Sequence, residues 1–362
     1  MKIGLIGLGG YGNFLANIIK ETEGLELYAV SSRSRQKLGA YINNYPELKI
    51  FLDWKELIKD PQIDLVIIAT PPYLHYSMAK AAITASKHVL VEKPLALKMA
   101  DANELIKLAE KKNVRLGVDH EMRYNSVMAQ MQKVAHSGIL GKLTNLNFTN
   151  LASDEGLDSE HWFWDKKKSG GIFVEHGCHF FDIYDFILGS SQILSSYSYL
   201  RNNKKEDKVL AVVKYDNGAI AQFWHSFDRP YVMEETKARF IFEKGQIEVS
   251  GWIPIGIQAK VVADDKVFEE LKNIFSDAVF KASAGKKDYK GSGKEYSNQR
   301  VVEFTLDAGK KDDIYKKMVT DLILEFTKSI INRSYTSKID AKKIIPGLEL
   351  ATQAERKAIV IK

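Results

Sequence analysis

The feature that most constrains this chain is a glycine-rich turn that closes an apolar run at residues 2–7. Residues 7–12 read Gly-Leu-Gly-Gly-Tyr-Gly, and a helical pattern of apolar residues follows them. In a G-x-G-x-x-G turn between strand and helix, the first glycine makes the turn, the second admits a pyrophosphate and the third permits close packing. The pattern predicts a dinucleotide-binding turn with the contact residues Gly7, Gly9, Gly10, Tyr11 and Gly12.

The rest of the first third continues to alternate strand and helix signals. Apolar runs at 25–30, 65–70 and 88–92 are separated by helical patterns, and a further strand is predicted near 115–118. Runs that are apolar throughout are typical of strands buried on both faces of a parallel sheet. These signals predict an α/β N-terminal Rossmann domain over residues 1–123, with a doubly wound parallel sheet.

Beyond residue 123 most strand-like runs follow one another directly. Asp216-Asn217-Gly218 and Lys244-Gly245 separate neighbouring runs as hairpin turns. The signals predict an α+β C-terminal domain over residues 124–362, with a mainly antiparallel sheet and a loop at 281–298. Helices are predicted at 174–188, 312–333 and 346–358, and the last one is a candidate to pack back on the first domain.

Charge and composition exclude several classes of function. The net charge is +6, and the basic residues are mostly interleaved with acidic ones, without the aromatic residues of a nucleic-acid groove. No stretch approaches the roughly 18 apolar residues of a membrane helix, and the apolar start is too short for a signal peptide. The one cysteine, Cys178, cannot form an internal disulfide. We therefore expect a cytoplasmic protein that binds neither nucleic acid nor membrane.

The second strand bears on the choice of nicotinamide cofactor. An NAD site usually has an acidic residue about 20 residues after the glycine turn, where it holds the ribose hydroxyls. Ser32 and Arg33 follow this strand instead, and an arginine can pair with a 2′-phosphate. We expect NADP or NAD, with NADP slightly favoured. The alternative is a helix N-cap at Ser34 followed by surface arginines.

Further motifs give the chain a resemblance to a known family. Val91-Glu92-Lys93-Pro94 ends the run at 88–92, Ala69-Thr70-Pro71-Pro72 ends the run at 65–70, and residues 170–182 contain G-x-H-x-x-D. Together with the glycine turn, these motifs resemble the Gfo/Idh/MocA oxidoreductase family, which includes glucose–fructose oxidoreductase and inositol dehydrogenases. The resemblance implies a Rossmann domain followed by an open-faced sheet, with the substrate bound between them. It also implies a homodimer or homotetramer formed through that sheet.

The resemblance implies roles for three residues. Lys93 is the lysine of the E-K-P motif beside the nicotinamide, and His179 matches the histidine that serves as general acid/base. The acidic residue four positions earlier is typically aspartate and is Glu175 here, so it could orient the imidazole or bind a substrate hydroxyl. A histidine that titrates near neutrality suits proton transfer, and an ammonium stabilises a developing alkoxide. Glu175 and His179 also share one face of the predicted helix.

By the same resemblance, other segments reach the cofactor or the cleft beside it. They are the loop after the run at 65–70, the glutamate of the E-K-P motif, an arginine after the strand near 115–118, and a tryptophan-containing loop. The corresponding positions are Thr70, Pro71, Pro72, His75, Glu92, Arg123 and Trp164. For the tryptophan loop, the alternative is aromatic side chains that pack beneath the loop.

The expected activity is hydride transfer between a nicotinamide cofactor and a secondary hydroxyl of a sugar, sugar derivative or cyclitol. An NAD-dependent glycosidase that oxidises C3 transiently and a catalytically silent nucleotide-binding regulator are the alternatives. Lys93 could also be a surface lysine, and His179 a packed core histidine. His176 and His179 could hold a metal, but no third ligand is evident, so no metal is predicted. Lysines 166–168 either attract an anionic substrate or form an exposed basic loop.

Overall fold

The computed structural model describes residues 1–291 and 293–361, and the chain divides into two compact units. The first unit comprises Met1–Glu121, His161–Asp182 and Lys316–Thr352. The second comprises Met122–Glu160, Ile183–Tyr315 and Gln353–Lys362. Each unit is therefore built from separate stretches of sequence. The boundary expected between residues 123 and 124, and the packing of the last helix on the first domain, stay predictions.

A parallel sheet forms the centre of the first unit. Its strands are β1 (Lys2–Ile6), β2 (Glu26–Ser31), β3 (Lys49–Phe51), β4 (Leu65–Ile68), β5 (His88–Glu92) and β6 (Leu116–Asp119). Their order is β3-β2-β1-β4-β5-β6, and neighbouring strands pair in parallel. The predicted doubly wound sheet is confirmed. Its order reverses between β1 and β4, and sheets of this kind bind ligands at the carboxyl ends beside such a reversal.

The helices begin and end close to most of the predicted positions. In chain order they are α1 (Gly10–Glu21), α2 (Arg35–Asn44), α3 (Trp54–Lys59), α4 (His75–Thr84), α5 (Met99–Lys112), α6 (Ser126–Ser137), α7 (Lys166–Ser169), α8 (Cys178–Leu188), α9 (Asp265–Ile274), α10 (Lys311–Ile331) and α11 (Ala341–Lys357). The helix predicted over 174–188 is a π-helical turn at Phe173–Gly177 followed by α8. The start predicted at Pro346 is wrong, because this proline lies inside α11 rather than at its first position. None of the described helices is long and apolar enough to cross a membrane.

A large mixed sheet forms the second unit. Its strands are β7 (Leu143–Ser153), β8 (Ser191–Arg201), β9 (Lys205–Tyr215), β10 (Ile220–Arg229), β11 (Glu235–Phe242), β12 (Gly245–Ser250), β13 (Gly256–Ala263), β14 (Val279–Ala282), β15 (Lys287–Gly291), β16 (Lys294–Asp307) and β17 (Ile359–Ile361). The order is β14-β16-β13-β12-β11-β7-β10-β9-β8-β17, and β15 pairs with β16. The β7–β10 and β8–β17 pairs are parallel, and the other pairs are antiparallel. The hairpins predicted at 216–218 and 244–245 are confirmed.

The loop predicted at 281–298 is wrong for most of its length. β14 ends within this segment, β15 lies wholly inside it, and β16 begins in it. β15 and β16 pair as an antiparallel hairpin, which makes up most of the segment. Ser292 in this segment lies outside the described residues. An exposed hairpin needs no apolar face, and this stretch is rich in glycine, serine and lysine. It therefore lacks the apolar alternation by which a strand is recognised in sequence.

Aromatic side chains of the second sheet hold the C-terminal half of α8. The ring of Tyr184 lies 5.5 Å from that of Phe148, 5.6 Å from Phe223 and 5.9 Å from Phe240. These centroid distances are typical of favourable aromatic pairs in a protein core. The core of the second unit therefore holds the part of α8 from Ile183 onward, which belongs to that unit.

Candidate active site

A cavity of about 680 Å³ lies where the strands of the first sheet end, within the size range of small-molecule sites. Most of its lining residues end or follow β1, β2, β4 and β5. Predicted site residues that line it are Gly7, Gly9, Gly10, Tyr11, Gly12, Ser32, Arg33, Thr70, Pro71, Pro72, Glu92, Lys93 and Glu175. Leu52, Trp54, His161 and Trp162 also line it, and the sequence analysis did not propose them.

The glycine turn has the shape that a pyrophosphate requires. Gly7 has φ +103°, and a Cβ there would lie 2.2 Å from the carbonyl oxygen of Ala69. A Cβ on Gly12 would lie 2.0 Å from the carbonyl oxygen of Gly7, so these two glycines permit close backbone packing. A Cβ on Gly9 would instead meet no protein atom within 4 Å, although Gly9 lines the cavity. The open space above Gly9 fits a dinucleotide phosphate beside the N-terminus of α1.

The segment after β2 forms another part of the wall. Ser32, Arg33 and Ser34 all line the cavity, and the Ser34 backbone N–H donates a hydrogen bond to Ser32 Oγ at 3.2 Å. The acidic lining residues, Glu92 and Glu175, belong to β5 and to the π-helical turn. Hydroxyl groups and a guanidinium therefore line the cavity at the position where NAD sites carry a carboxylate.

His75 supports the cavity wall without lining it. Its side chain is fully buried, with Nδ1 2.7 Å from the carbonyl oxygen of Pro94 and Nε2 2.6 Å from that of Thr70. Burial lowers the pKa of His75. The imidazole thus connects the turn after β4 with the turn after β5, which carries Lys93.

Lys93 presents a fixed ammonium group to the cavity. Its Nζ donates hydrogen bonds to Glu175 Oε1 at 2.9 Å and to the Glu175 main-chain oxygen at 2.8 Å. Burial by itself would lower the pKa of Lys93, but attraction to Glu175 and Glu92 outweighs burial, and the pKa is raised. The Lys93–Pro94 peptide bond is cis. Glu175 therefore binds the lysine, whereas an imidazole was one of the two partners expected from the sequence.

A buried group of acidic residues and histidines lies near Lys93. Asp119 and Glu121 follow each other closely at the end of β6, with His120 between them. Glu121 Oε2 is 3.7 Å from His179 Nδ1, and His120 Nδ1 is 3.4 Å from Asp182 Oδ2. These residues were not predicted from the sequence, although polar residues at the carboxyl end of a parallel strand are a recognised sign of a site.

Tyr11 connects the glycine turn to the same buried group. Its hydroxyl donates a hydrogen bond to the carboxylate of Asp119, and its residue lines the cavity. Burial raises the pKa of Asp119, and the Tyr11 hydrogen bond and Lys93 oppose that shift. Burial also raises the pKa of Glu92, where Asp119 and Glu175 add to the effect and Lys93 opposes it. Carboxyl groups packed this closely in a buried site disfavour one another's ionised forms.

The pKa values of the histidines in the π-helical turn and in α8 are lowered, which favours their neutral forms. Burial, with the nearby Lys93, lowers the pKa of His176 to about 3. Burial also lowers the pKa of His179 well below its usual value, and Lys93, His120 and His176 add to the effect. Burial raises the pKa of the Cys178 thiol. In the part of the chain that the structure describes, no three His, Cys, Asp or Glu side chains are arranged to hold a metal ion.

The tryptophan loop and the predicted arginine are placed differently from the lining residues. His161 and Trp162 line the cavity, whereas Trp164 does not and lies 5.0 Å from the ring of Phe163. The guanidinium of Arg123 lies 4.8 Å above the ring of Phe186, within the second unit. A tryptophan signal in sequence could not distinguish Trp162 from Trp164, because both stand in one short 3₁₀ turn.

Comparison with known families matches two parts of the chain. Residues 1–120 match the family described as "Oxidoreductase family, NAD-binding Rossmann fold". Residues 128–248 match the "GFO/IDH/MocA C-terminal domain". Both matches agree with the resemblance found in the sequence motifs, which is confirmed.

Curated relatives and solved structures agree with the family match. An uncharacterized oxidoreductase of Synechocystis is 35% identical over 144 residues, which are 39% of this chain and 39% of the relative. Myo-inositol 2-dehydrogenase of Thermotoga maritima is 28% identical over 228 residues, which are 61% of this chain and 66% of the relative. The alignments thus span less than two thirds of these relatives.

Among solved structures, the WlbA dehydrogenase of Bordetella pertussis in complex with NADH and UDP-GlcNAcA superposes with a TM-score of 0.77. It is 20% identical, and the alignment covers 99% of this chain and 95% of that one, so the likeness shows the fold. The fold expected from the sequence is confirmed. Because the two matched segments together cover more than half of the residues, this chain belongs to the Gfo/Idh/MocA oxidoreductase family.

Proposed function

We propose that this protein is an NAD(P)-dependent oxidoreductase that acts on a secondary hydroxyl of a sugar, sugar derivative or cyclitol. The observation that carries the proposal is the buried Lys93 ammonium, which borders the same cavity as the glycine turn. When bound, the nicotinamide ring supplies the chemistry of hydride acceptance and return. The residues of the chain supply binding, orientation and proton transfer.

Lys93 acts on the reacting oxygen. Removal of hydride from a carbinol carbon needs loss of the hydroxyl proton in nearly the same step, and a fixed ammonium stabilises the developing alkoxide. Lys93 Nζ donates two hydrogen bonds to Glu175, and they hold the lysine side chain in place. Because its pKa is raised, Lys93 stays protonated and acts electrostatically rather than as the proton acceptor.

His179 is the proton acceptor in this proposal. The lowered pKa leaves the imidazole neutral, which is the form that can take a proton. His179 is 3% exposed and does not line the cavity, so the proposal requires its imidazole to reach the substrate oxygen once substrate is bound. The reverse reaction uses the same groups in reverse order, with His179 returning the proton.

The cofactor would be held by the lining residues. The glycine turn would bind the pyrophosphate, and Thr70, Pro71, Pro72 and Glu92 would border the nicotinamide half. His75, Arg123 and Trp164 do not line this cavity, and contributions from them remain predictions. Of these three, His75 would act on the cofactor site indirectly, because its imidazole connects the backbone of Thr70 with that of Pro94 beside the cavity.

We propose a preference for NADP over NAD from the segment after β2. A 2′-phosphate beside Ser32 and Arg33 would meet a hydroxyl and a guanidinium, which favour a phosphate group. An acidic residue at this position would repel it. The preference is measured as the ratio of kcat/KM for the two cofactors.

Assembly and location are further parts of the proposal. One face of β11, β12, β13 and β16 carries a groove of about 380 Å³ with a polar lining that includes Arg239, Glu248, Lys260 and Glu303. We propose that this sheet forms a homodimer or homotetramer, as the family resemblance implies, which light scattering of the purified protein tests. A cytoplasmic location is proposed from the one cysteine of the sequence.

The test is a screen of sugars, inositols and sugar phosphates with NAD and NADP, followed by the near-ultraviolet absorbance of reduced cofactor. A dehydrogenase accumulates reduced cofactor in proportion to the substrate consumed. Release of a glycosidic group without net reduction would favour the glycosidase instead. Tight cofactor binding without turnover of any hydroxyl or carbonyl compound would favour the regulator.

A further inference from the structure

Two carboxyl–imidazole pairs lie side by side near Lys93. Glu121 faces His179 with Oε2 3.7 Å from Nδ1, and Asp182 faces His120 with Oδ2 3.4 Å from Nδ1. The two imidazole rings are 5.9 Å apart and meet edge to face at 73°. All four side chains are at most 4% exposed, so bulk water does not screen them.

Glu175 is already engaged elsewhere. Its carboxylate accepts a hydrogen bond from Lys93, and its main-chain oxygen accepts a second one from the same ammonium. The carboxyl group that faces His179 Nδ1 belongs to Glu121, which is 58 residues away in sequence. Glu175, four residues before His179, therefore binds Lys93, and a different carboxyl group, that of Glu121, lies beside the His179 imidazole.

We infer that Glu121 is the positioning residue of His179, and that it takes the Nδ1 proton when Nε2 receives the proton of the substrate. The inference rests on the proposed function, in which His179 is the proton acceptor. Before the reaction, in this inference, the ring proton is on Nδ1, which faces the Glu121 carboxylate, and Nε2 is the unprotonated nitrogen. Afterwards Nε2 carries the substrate proton, and Glu121 Oε2 carries the proton that left Nδ1. One proton enters the pair and none is lost.

The charges around His179 favour this transfer. Lys93, His120 and His176 all act against a positive charge on the ring, and burial acts in the same direction. An imidazolium that kept both protons would stand beside the Lys93 ammonium in a buried site, where like charges repel strongly. Passing the Nδ1 proton to Glu121 leaves a neutral ring.

The charges around Glu121 act in the complementary direction. Burial raises the pKa of Glu121, and Asp119 and Asp182 raise it further, while Lys93 opposes them. The carboxyl group therefore accepts a proton near neutral pH more readily than an exposed glutamate does. A distance of 3.7 Å is longer than a hydrogen bond, and catalytic pairs commonly tighten once substrate is bound.

The test follows the protonation state of His179 by nitrogen NMR of the full chain labelled in its histidines, without substrate. The His179 signal is assigned by its loss in His179→Gln. If Glu121 shares the proton, raising the pH removes one proton from the pair and moves the ring proton from Nε2 to Nδ1. We expect this exchange between about pH 6 and 10, around the raised pKa of a buried carboxyl group.

Glu121→Gln and Asp182→Asn provide a matched comparison, because each replaces a buried carboxyl group by an amide. We expect Glu121→Gln to abolish the exchange at His179 and Asp182→Asn to preserve it. No exchange in the unmodified protein, or an exchange that survives Glu121→Gln, would overturn the inference. The measurement on the unmodified protein decides the question even if a variant fails to fold.

Kinetics complete the test. Glu121→Gln should lower kcat by about 10- to 100-fold, at or below the lower end of general acid–base effects, with little change in KM. Glu121→Asp should recover part of the loss. The NMR result needs no substrate, so an exchange at His179 in a protein that oxidises no hydroxyl compound would refute the proposed function and leave the Glu121–His179 pair standing.

Discussion

Replacing Lys93 by methionine separates the catalytic role of its charge from the structural role of its ion pair. Methionine keeps an unbranched side chain of similar length and removes the ammonium. The carboxylate of Glu175 then loses the partner that donates at 2.9 Å, and its main-chain oxygen loses the donor at 2.8 Å. Breaking a buried ion pair by removing one partner costs about 3–5 kcal/mol. Glu175 borders the cavity, where water can reach it, so we expect the lower end, about 3 kcal/mol.

A second substitution restores the stability and leaves the charge absent. In Lys93→Met combined with Glu175→Gln, no unpaired charge remains at this position. We expect the free energy of unfolding of the double variant to return to within about 1 kcal/mol of the unmodified protein, as seen when both partners of a buried pair are neutralised. Urea unfolding followed by tryptophan fluorescence measures all three proteins under one set of conditions.

Activity should behave differently from stability. If Lys93 stabilises the developing alkoxide, turnover falls by about 10²- to 10⁴-fold in the single variant and stays low in the double variant. Cofactor affinity should change by only a few-fold in both. Assays use saturating cofactor and the substrate that the screen identifies. Recovery of turnover together with stability would show that Lys93 has a structural role only, and near-normal turnover in the single variant would remove it from the mechanism.

Further outcomes are expected at other positions. Gly12→Ala should destabilise the fold, since its Cβ would lie 2.0 Å from the Gly7 carbonyl oxygen. Gly9→Ala should instead keep the melting temperature and weaken cofactor binding. Equal effects of the two substitutions on the melting temperature in calorimetry and on cofactor affinity in titration would contradict this assignment. Ser32→Asp should weaken NADP far more than NAD, and an equal loss for both would show that the position does not read the 2′-phosphate. Neutralising lysines 166–168 should raise KM if the substrate is anionic, and a kcat/KM insensitive to salt up to about 0.5 M would identify them as solvated surface. Burial lowers the pKa of His88 to about 4, and the nearby Arg333 and Arg115 add to this shift. As the pH falls, the unfolded chain therefore binds a proton before the folded protein does, and the free energy of unfolding should fall by about 1–2 kcal/mol from pH 8 to pH 5. A smaller fall in His88→Asn would be the check.

Features that depend on a few neighbouring residues could be predicted from the sequence. The glycine turn is one, because the turn itself needs the positive φ of Gly7 and the close approach of Gly12 to the Gly7 carbonyl oxygen. Continuous apolar runs identified β4 and β5, since a strand buried on both faces needs apolar residues at every position. Turn residues at 216–218 and 244–245 likewise set the hairpins of the second sheet.

Features that depend on residues distant in sequence were decided only by the tertiary structure. Spacing predicts one helix face for Glu175 and His179, but it could not show that Lys93 binds the Glu175 carboxylate or that Glu121 faces His179. Nor could it place Trp162 rather than Trp164 at the cavity. A motif specifies the backbone conformation that its own residues require, whereas the partner of a buried charge is whichever group the packing of other elements brings within a few ångströms. For that reason the sequence determined where the cofactor turn and its lysine stand, and the fold determined which carboxyl group each of the site's basic side chains meets.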